Sequence, residues 1–258
     1  MPVRILAVGD VVGQSGVDMF ARRLRSLKKL KGIDFTAVNG ENASGVGLTR
    51  CQAEQLLDAG ADVITLGNHA FGKSELFAFL DDEPRILRPA NFAPQTPGRG
   101  WGVFPAAFGE VLVINLVGRC GMDFGPDNPF FEADRILKKE KRRFALVDLH
   151  AEASSEKQAM AFYLDGRVSA LWGTHTHVQT SDACVMPAGS GYITDLGMTG
   201  PRISVLGMTA EQSVSNFLGN PKRRLYPAPG PCKLECAVFE LDEQTGLCLS
   251  AEAVRIED

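Results

Sequence analysis

The sequence has no excess of positive charge. Its 27 Lys and Arg are outnumbered by 31 Asp and Glu, giving a net charge of −4 and a pI of about 5.7. No global basic field therefore draws nucleic acid to it. No apolar stretch approaches the roughly 20 residues of a membrane-spanning helix, so no membrane partner is expected. The opening MPVRILAVGD lacks a basic n-region, a long apolar core and a small-residue cleavage site. It is not read as a secretory signal, and a cytoplasmic location is expected. Cys51, Cys120, Cys184, Cys232, Cys236 and Cys248 are dispersed, without CxxC spacing. Reduced thiols fit better than disulfides or a zinc–thiolate site. The glycines of GDVVGQSG (9–16) lack GKS/T and GxGxxG, so they are read as turn residues and not as a nucleotide loop. Repeats, low-complexity tracts and linkers are also missing, and residues 1–258 are expected to form one domain.

What is present is an alternation of apolar runs and helical patterns, the signature of βαβ units in a layered α/β fold. Strands are expected at 3–8, 35–38, 62–66, 111–117, 144–149, 168–172 and 191–196. VRILAV (3–8) is apolar throughout, as a strand buried on both faces should be. Helices are expected at 16–31, near 49–59, near 73–81, within 128–143 and near 154–164. The first would bury Val17, Phe20, Leu24, Leu27 and Leu30 against a solvated basic face from Arg22 to Lys31. Ser154 and Ser155 are candidate caps for the last, with Glu156 in its first turn. The stretch 84–106, with five prolines, reads as loop with short edge strands. Residues 200–230 read as irregular, and 233–256 as a hairpin around DEQTG.

Histidine is scarce, and its placement carries the functional signal. All four histidines lie in short polar motifs at the ends of apolar runs: His69 in GNH, His150 in LVDLH, and His175 and His177 in THTH. Asp10 after RILAVG and Glu41-Asn42 in NGEN occupy equivalent positions. Ligands of open α/β sheets gather outside the carboxyl ends of strands. In extended backbone His175 and His177 would point to one side. Asp10, Glu41, Asn42, Asn68, His150, His175 and His177 are too many for one zinc, which needs three protein ligands. They suit two divalent ions sharing a carboxylate about 3.5–4 Å apart, a device for phosphoryl chemistry. The N/O mixture favours iron, manganese or zinc, with magnesium less comfortable on imidazoles. His69, beside a candidate ligand, is suited to protonate a leaving alkoxide.

VGD (8–10), NGEN (39–42), GNH (67–69), LH (149–150) and GTHTHVQT (173–180) resemble the ordered blocks of calcineurin-like metallophosphoesterases. The familiar first block is Asp-x-His, whereas Val11 and Val12 follow Asp10 here, and Glu41 stands where an aspartate is usual. Those departures resemble one branch, the bacterial YmdB-type phosphodiesterases, as do NGENASG, RPANF (88–92), HAEASSEK (150–157) and ITDLGMTGP (193–201). That branch carries an aromatic-acidic pair where Phe71-Gly72 stands. The resemblance implies an α/β sandwich of two mixed sheets flanked by helices, with the metal site at strand C-terminal ends. It implies one ion on Asp10, Glu41, Asn42 and His177, and another on Glu41, Asn68, His150 and His175, bridged by Glu41. His69 would be the proton donor. The implied reaction opens 2′,3′-cyclic nucleotides to 3′-nucleotides through a metal-bridging hydroxide, with iron or manganese first and zinc or magnesium admissible.

Other readings stay open. Asp10 and Asn68 taken singly are ordinary turn residues, and a lone His150 would be a buried structural histidine. Lys73 and Arg119 suit either phosphate contacts or surface ion pairs, and Trp101 and Trp172 are read as core. Glu152 and Glu156 are candidates to orient the ligands from behind. The expected partner is a small nucleotide phosphodiester; a phosphomonoesterase, a nuclease, or a regulatory RNA- or protein-binding role are the rivals, and a homo-oligomer stays open.

Overall fold

The computed structural model describes residues 2–122, 125–221 and 225–258. From the amino end come β1 (Val3–Val8), β2 (Asp10–Val11), α1 (Gly13–Lys31), β3 (Phe35–Asn39), α2 (Arg50–Ala59) and β4 (Val63–Thr65). Next are α3 (Leu76–Asp82), β5 (Ile86–Leu87), β6 (Trp101–Ala106), β7 (Gly109–Val117), α4 (Pro129–Lys139), β8 (Phe144–His150) and α5 (Ser154–Leu164). The chain closes with β9 (Ala170–Thr174), β10 (Cys184–Val185), β11 (Gly191–Ile193), β12 (Met198–Pro201), α6 (Ala210–Phe217), β13 (Cys232–Leu241) and β14 (Cys248–Glu257).

An eight-stranded sheet runs β2-β12-β13-β1-β3-β4-β5, with β14 paired to β13, and a six-stranded sheet runs β10-β11-β9-β8-β7-β6. Both are mixed. β1, β3, β4 and β5 are mutually parallel, as are β7, β8, β9 and β11, while β13 and β6 run antiparallel to their neighbours. The alternation within β1 explains the layering: Ile5 and Ala7 face the second sheet, Leu6 and Val8 face the helices. Between the sheets Trp172 stacks on Phe239 with centroids 5.9 Å apart. Helices α1 and α2 cover one outer face through Phe20, Leu24 and Leu56; α4 and α5 cover the other through Ile136 and Met160. The expected α/β sandwich of two mixed sheets flanked by helices is what the chain forms.

Several local expectations are corrected. Helix α1 begins at Gly13, whose φ of +69° suits glycine, and Leu30 points to solvent while Met19 is buried. The basic face of α1 is solvated as expected, and part of it is also ion-paired: Arg22 and Arg23 hold Asp258, and Lys31 holds Glu252. The N-cap of α5 is Ala153 with no side-chain bond, so neither serine caps it. The 200–230 stretch carries the end of β12 and all of α6, and its residues 222–224 lie outside the described part. Trp172 is core as expected, but Trp101 is half-exposed, with Lys139 Nζ 5.0 Å above its ring. Among the described residues, no helix is long and apolar enough to cross a membrane.

Candidate metal centre

The parallel strands of both sheets end at one rim. Asp10 lies in β2; Glu41 and Asn42 follow β3; Asn68 and His69 follow β4. His150 is the last residue of β8, and His175 and His177 follow β9. The fold brings all eight side chains to this rim, and a pocket of about 290 Å³ opens over Glu41, Asn42, His69, His175 and His177. Glu41, His150 and His175 each offer a ligand atom within 4.8 Å of the others.

His150 is the hub. Its ring is fully buried, and Nδ1 faces Thr174 Oγ1 at 3.0 Å. Thr174 Oγ1 donates its proton to Asp148 Oδ1 at 2.8 Å, leaving its lone pair to accept from His150 Nδ1–H. This arrangement directs the Nε2 lone pair outward. There Nε2 meets Asn68 Oδ1 at 2.9 Å, Glu41 Oε1 at 3.1 Å and His175 Nδ1 at 3.0 Å. Further along the rim, His177 Nε2 meets Asn42 Oδ1 at 3.2 Å and lies 3.9 Å from Asp10 Oδ1. Asp10 Oδ2 accepts from the His175 backbone N–H at 3.1 Å, but Oδ1 is buried without a hydrogen-bond partner among the described residues. Buried acceptors normally find a donor. A largely buried cluster of facing lone pairs with an orphaned carboxylate oxygen is the donor set a hard or borderline divalent cation requires, so these residues fit a metal.

Burial acts oppositely on the two kinds of donor. It pushes Asp10 and Glu41 up to about 7, and Asp148 beneath them up to about 6. The same desolvation pulls His150 and His175 down to about 4 and lowers His177. The imidazoles are thus neutral at physiological pH, the form that binds metals.

Two backbone features shape the site. A Cβ on Gly67 would run into Glu41 Oε2 and the His150 ring, so GNH needs its glycine for close approach. His175 and His177 are not in extended backbone, as expected, but at φ of +98° and +63°. They are aimed by a turn and not by strand alternation. Lys157 and Asp195, buried and 2.7 Å apart, hold that turn: Asp195 accepts from the Thr176 and Gly197 amides. Neither residue nor Asp148 was singled out from sequence, although all three lie in or next to recognised blocks, which was the available signal. Glu152 does orient a site histidine, with Oε2 3.1 Å from His175 Nε2. Glu156 does not; it accepts from the Arg119 and Cys120 amides. Lys73 and Arg119 do not line the pocket.

A family model described as YmdB-like protein matches residues 6–254. The chain is 45% identical to a 2′,3′-cyclic-nucleotide 2′-phosphodiesterase of Bacillus subtilis (strain 168), over 99% of this chain and 98% of the relative. A hypothetical protein from Thermus thermophilus superposes with a TM-score of 0.92 at 37% identity, over 99% of this chain and 100% of the other. A novel phosphatase from Mycoplasma pneumoniae superposes with a TM-score of 0.94 at 33% identity, over 100% of this chain and 94% of the other. With motifs, sandwich and rim geometry agreeing, the chain belongs to the YmdB-like protein family.

Proposed function

We propose that this chain is a metal-dependent phosphodiesterase, a single domain that opens 2′,3′-cyclic nucleotides to 3′-nucleotides. The observation that carries the metal reading is the convergence of Glu41, His150 and His175 around unshared lone pairs. The cyclic-nucleotide substrate is carried over from the Bacillus subtilis relative. Asp10, Glu41, Asn42 and His177 would hold one divalent ion; Glu41, Asn68, His150 and His175 would hold a second, with Glu41 shared. Bound there, such a pair would supply positive charge to the phosphodiester oxygens and lower the pKa of the attacking water. Iron and manganese suit the mixed N/O set best.

The residues of the chain divide the remaining work. Thr174 and Asp148 fix the His150 tautomer, and Glu152 steadies His175. His69 stands in the pocket wall with its backbone N–H on Glu41 Oε2 at 3.2 Å and its Nε2 3.3 Å from Asn68 Nδ2. Its imidazole delivers the proton to the departing ribose oxygen. No step needs a covalent enzyme intermediate.

A phosphomonoesterase is the second reading, favoured by the phosphatase among the structural relatives. Turnover by iron- or manganese-loaded protein of 2′,3′-cyclic AMP, p-nitrophenyl phosphate and a short RNA separates them. The expected result is highest kcat/KM on the cyclic nucleotide; preference for the monoester or the RNA overturns the assignment.

A further inference from the structure

The block RPANF (88–92) is part of the family resemblance, yet the proposed reaction uses none of it. Arg88 follows β5, the next strand along the rim from the one that carries Asn68 and His69. It lines a cavity of about 860 Å³ between β6 and α4, together with Phe92, Arg99, Trp101, Glu132 and Arg142. That volume is typical of small-molecule sites. The cavity shares no lining residue with the metal-centre pocket.

Its charges are unevenly paired. Glu132 is held by both ends of the Arg135 fork, at 2.7 and 2.5 Å, and Arg142 by Glu140 and Glu110. Arg88 is only 6% exposed, and the hydrogen bonds of its guanidinium run from Nη1 to the Pro89 and Ala90 carbonyls, at 2.8 and 3.5 Å. Among the described residues its Nε has no partner, and neither Arg88 nor the exposed Arg99 makes an ion pair. Asp127, also in the wall, is exposed and makes none either among the described residues. A guanidinium does not lose its proton in a protein, and the one carboxylate whose charge reaches Arg88, Glu132, makes no ion pair with it, its oxygens being taken by Arg135. The fork of an arginine matches the oxygens of phosphate in two parallel hydrogen bonds.

We propose that this cavity is a second ligand site, which binds a phosphate-class oxyanion, a phosphate monoester or free orthophosphate, on Arg88 and Arg99. Phe92 in its wall packs on Phe71, ring centroids 5.8 Å apart, and Phe71 stands two residues beyond His69. The occupied cavity therefore lies one aromatic ring from the turn that carries the proposed proton donor.

Trp101 in the cavity wall supplies the readout, since the chain's other tryptophan, Trp172, is sealed between the sheets. Orthophosphate and adenosine 3′-monophosphate are titrated into the metal-loaded full chain, followed by tryptophan fluorescence and calorimetry. The same titrations in Glu41→Gln remove the contribution of the metal centre. Saturable binding that persists in Glu41→Gln, falls about tenfold in Arg99→Ala and is lost in Arg88→Met supports the site. Tighter binding of the nucleotide assigns it a phosphate monoester, and tighter binding of orthophosphate the free ion. If Arg88→Met fails to fold, the surface variant Arg99→Ala decides. Binding at the metal centre alone, or binding in Glu41→Gln that Arg99→Ala leaves unchanged, overturns the proposal. The outcome does not depend on the substrate assigned above.

Discussion

The two sheets contribute different chemistry to the rim. Asp10, Glu41, Asn42 and Asn68, the oxygen donors, all come from the eight-stranded sheet; His150, His175 and His177 all come from the six-stranded one. Neither sheet alone holds a complete site. Their docking assembles it, along a polar seam in which Thr65 and Asn39 of one sheet bond Asp148 of the other, and Asn115 donates to the Leu66 and Leu87 carbonyls. The same burial that raises the carboxyls lowers the imidazoles, so without metal the protons of the site reside on the oxygen side. A divalent cation bound as proposed would replace them.

The sharpest way to break the division is on the oxygen side. Glu41→Gln keeps the shape of the proposed shared ligand but removes its charge, and kcat on 2′,3′-cyclic AMP is expected to fall about a thousandfold or more. Retention of full turnover with reloaded metal would count against the bridging role.

The second effect is on pH. Metal binding must displace the protons that Asp10 and Glu41 hold up to about pH 7, whereas His150 and His175 are neutral above about pH 4. Manganese affinity should weaken roughly thirtyfold from pH 7 to pH 6, with protons released on binding. Calorimetry in buffers of different ionisation enthalpy measures both; an affinity flat across that interval contradicts it. For the metal-free fold the signs oppose. The raised carboxyls contribute stability that is fully present below their ordinary values of 3.8 and 4.5 and is lost as pH rises through about 7. The lowered imidazoles contribute stability present above 6.5 and lost as pH falls through about 4.

On the nitrogen side, Thr174→Val removes the acceptor of His150 Nδ1–H without touching a proposed ligand. Metal affinity should drop about ten- to a hundredfold, and the metal-free chain should lose about 1–3 kcal/mol of stability because Asp148 and His150 are left unpaired; Thr174→Ser should restore both. The smallest effect belongs far from the rim. Leu30→Ser, at a position 80% exposed, should change stability by less than about 0.5 kcal/mol in denaturant unfolding.

Much of this was legible in the sequence because chemistry and periodicity pointed to the same places. VRILAV had to be a doubly buried strand, and the motif after it had to emerge at a strand end. What escaped notice depends on contacts distant in the chain. Asp148 reads as an interruption of an apolar strand until Thr65 and Thr174 are seen around it. Lys157 reads as a solvated helix residue until Asp195 is placed 2.7 Å away. Leu30 fits the helical period, but the last turn of α1 meets the sheet through polar contacts, Lys31 with Arg4 and Glu252, and leaves Leu30 80% exposed. The direction of His175 and His177 depended on left-handed backbone, which their residue type does not announce.

That backbone sets binding against stability. At φ of +98° and +63°, a histidine is strained where a glycine is not. His175→Gly or His177→Gly relieves the chain while deleting an imidazole, so each replacement favours the metal-free fold and disables the centre. At these two positions, a gain in stability of the fold is therefore expected to come at the expense of the proposed centre.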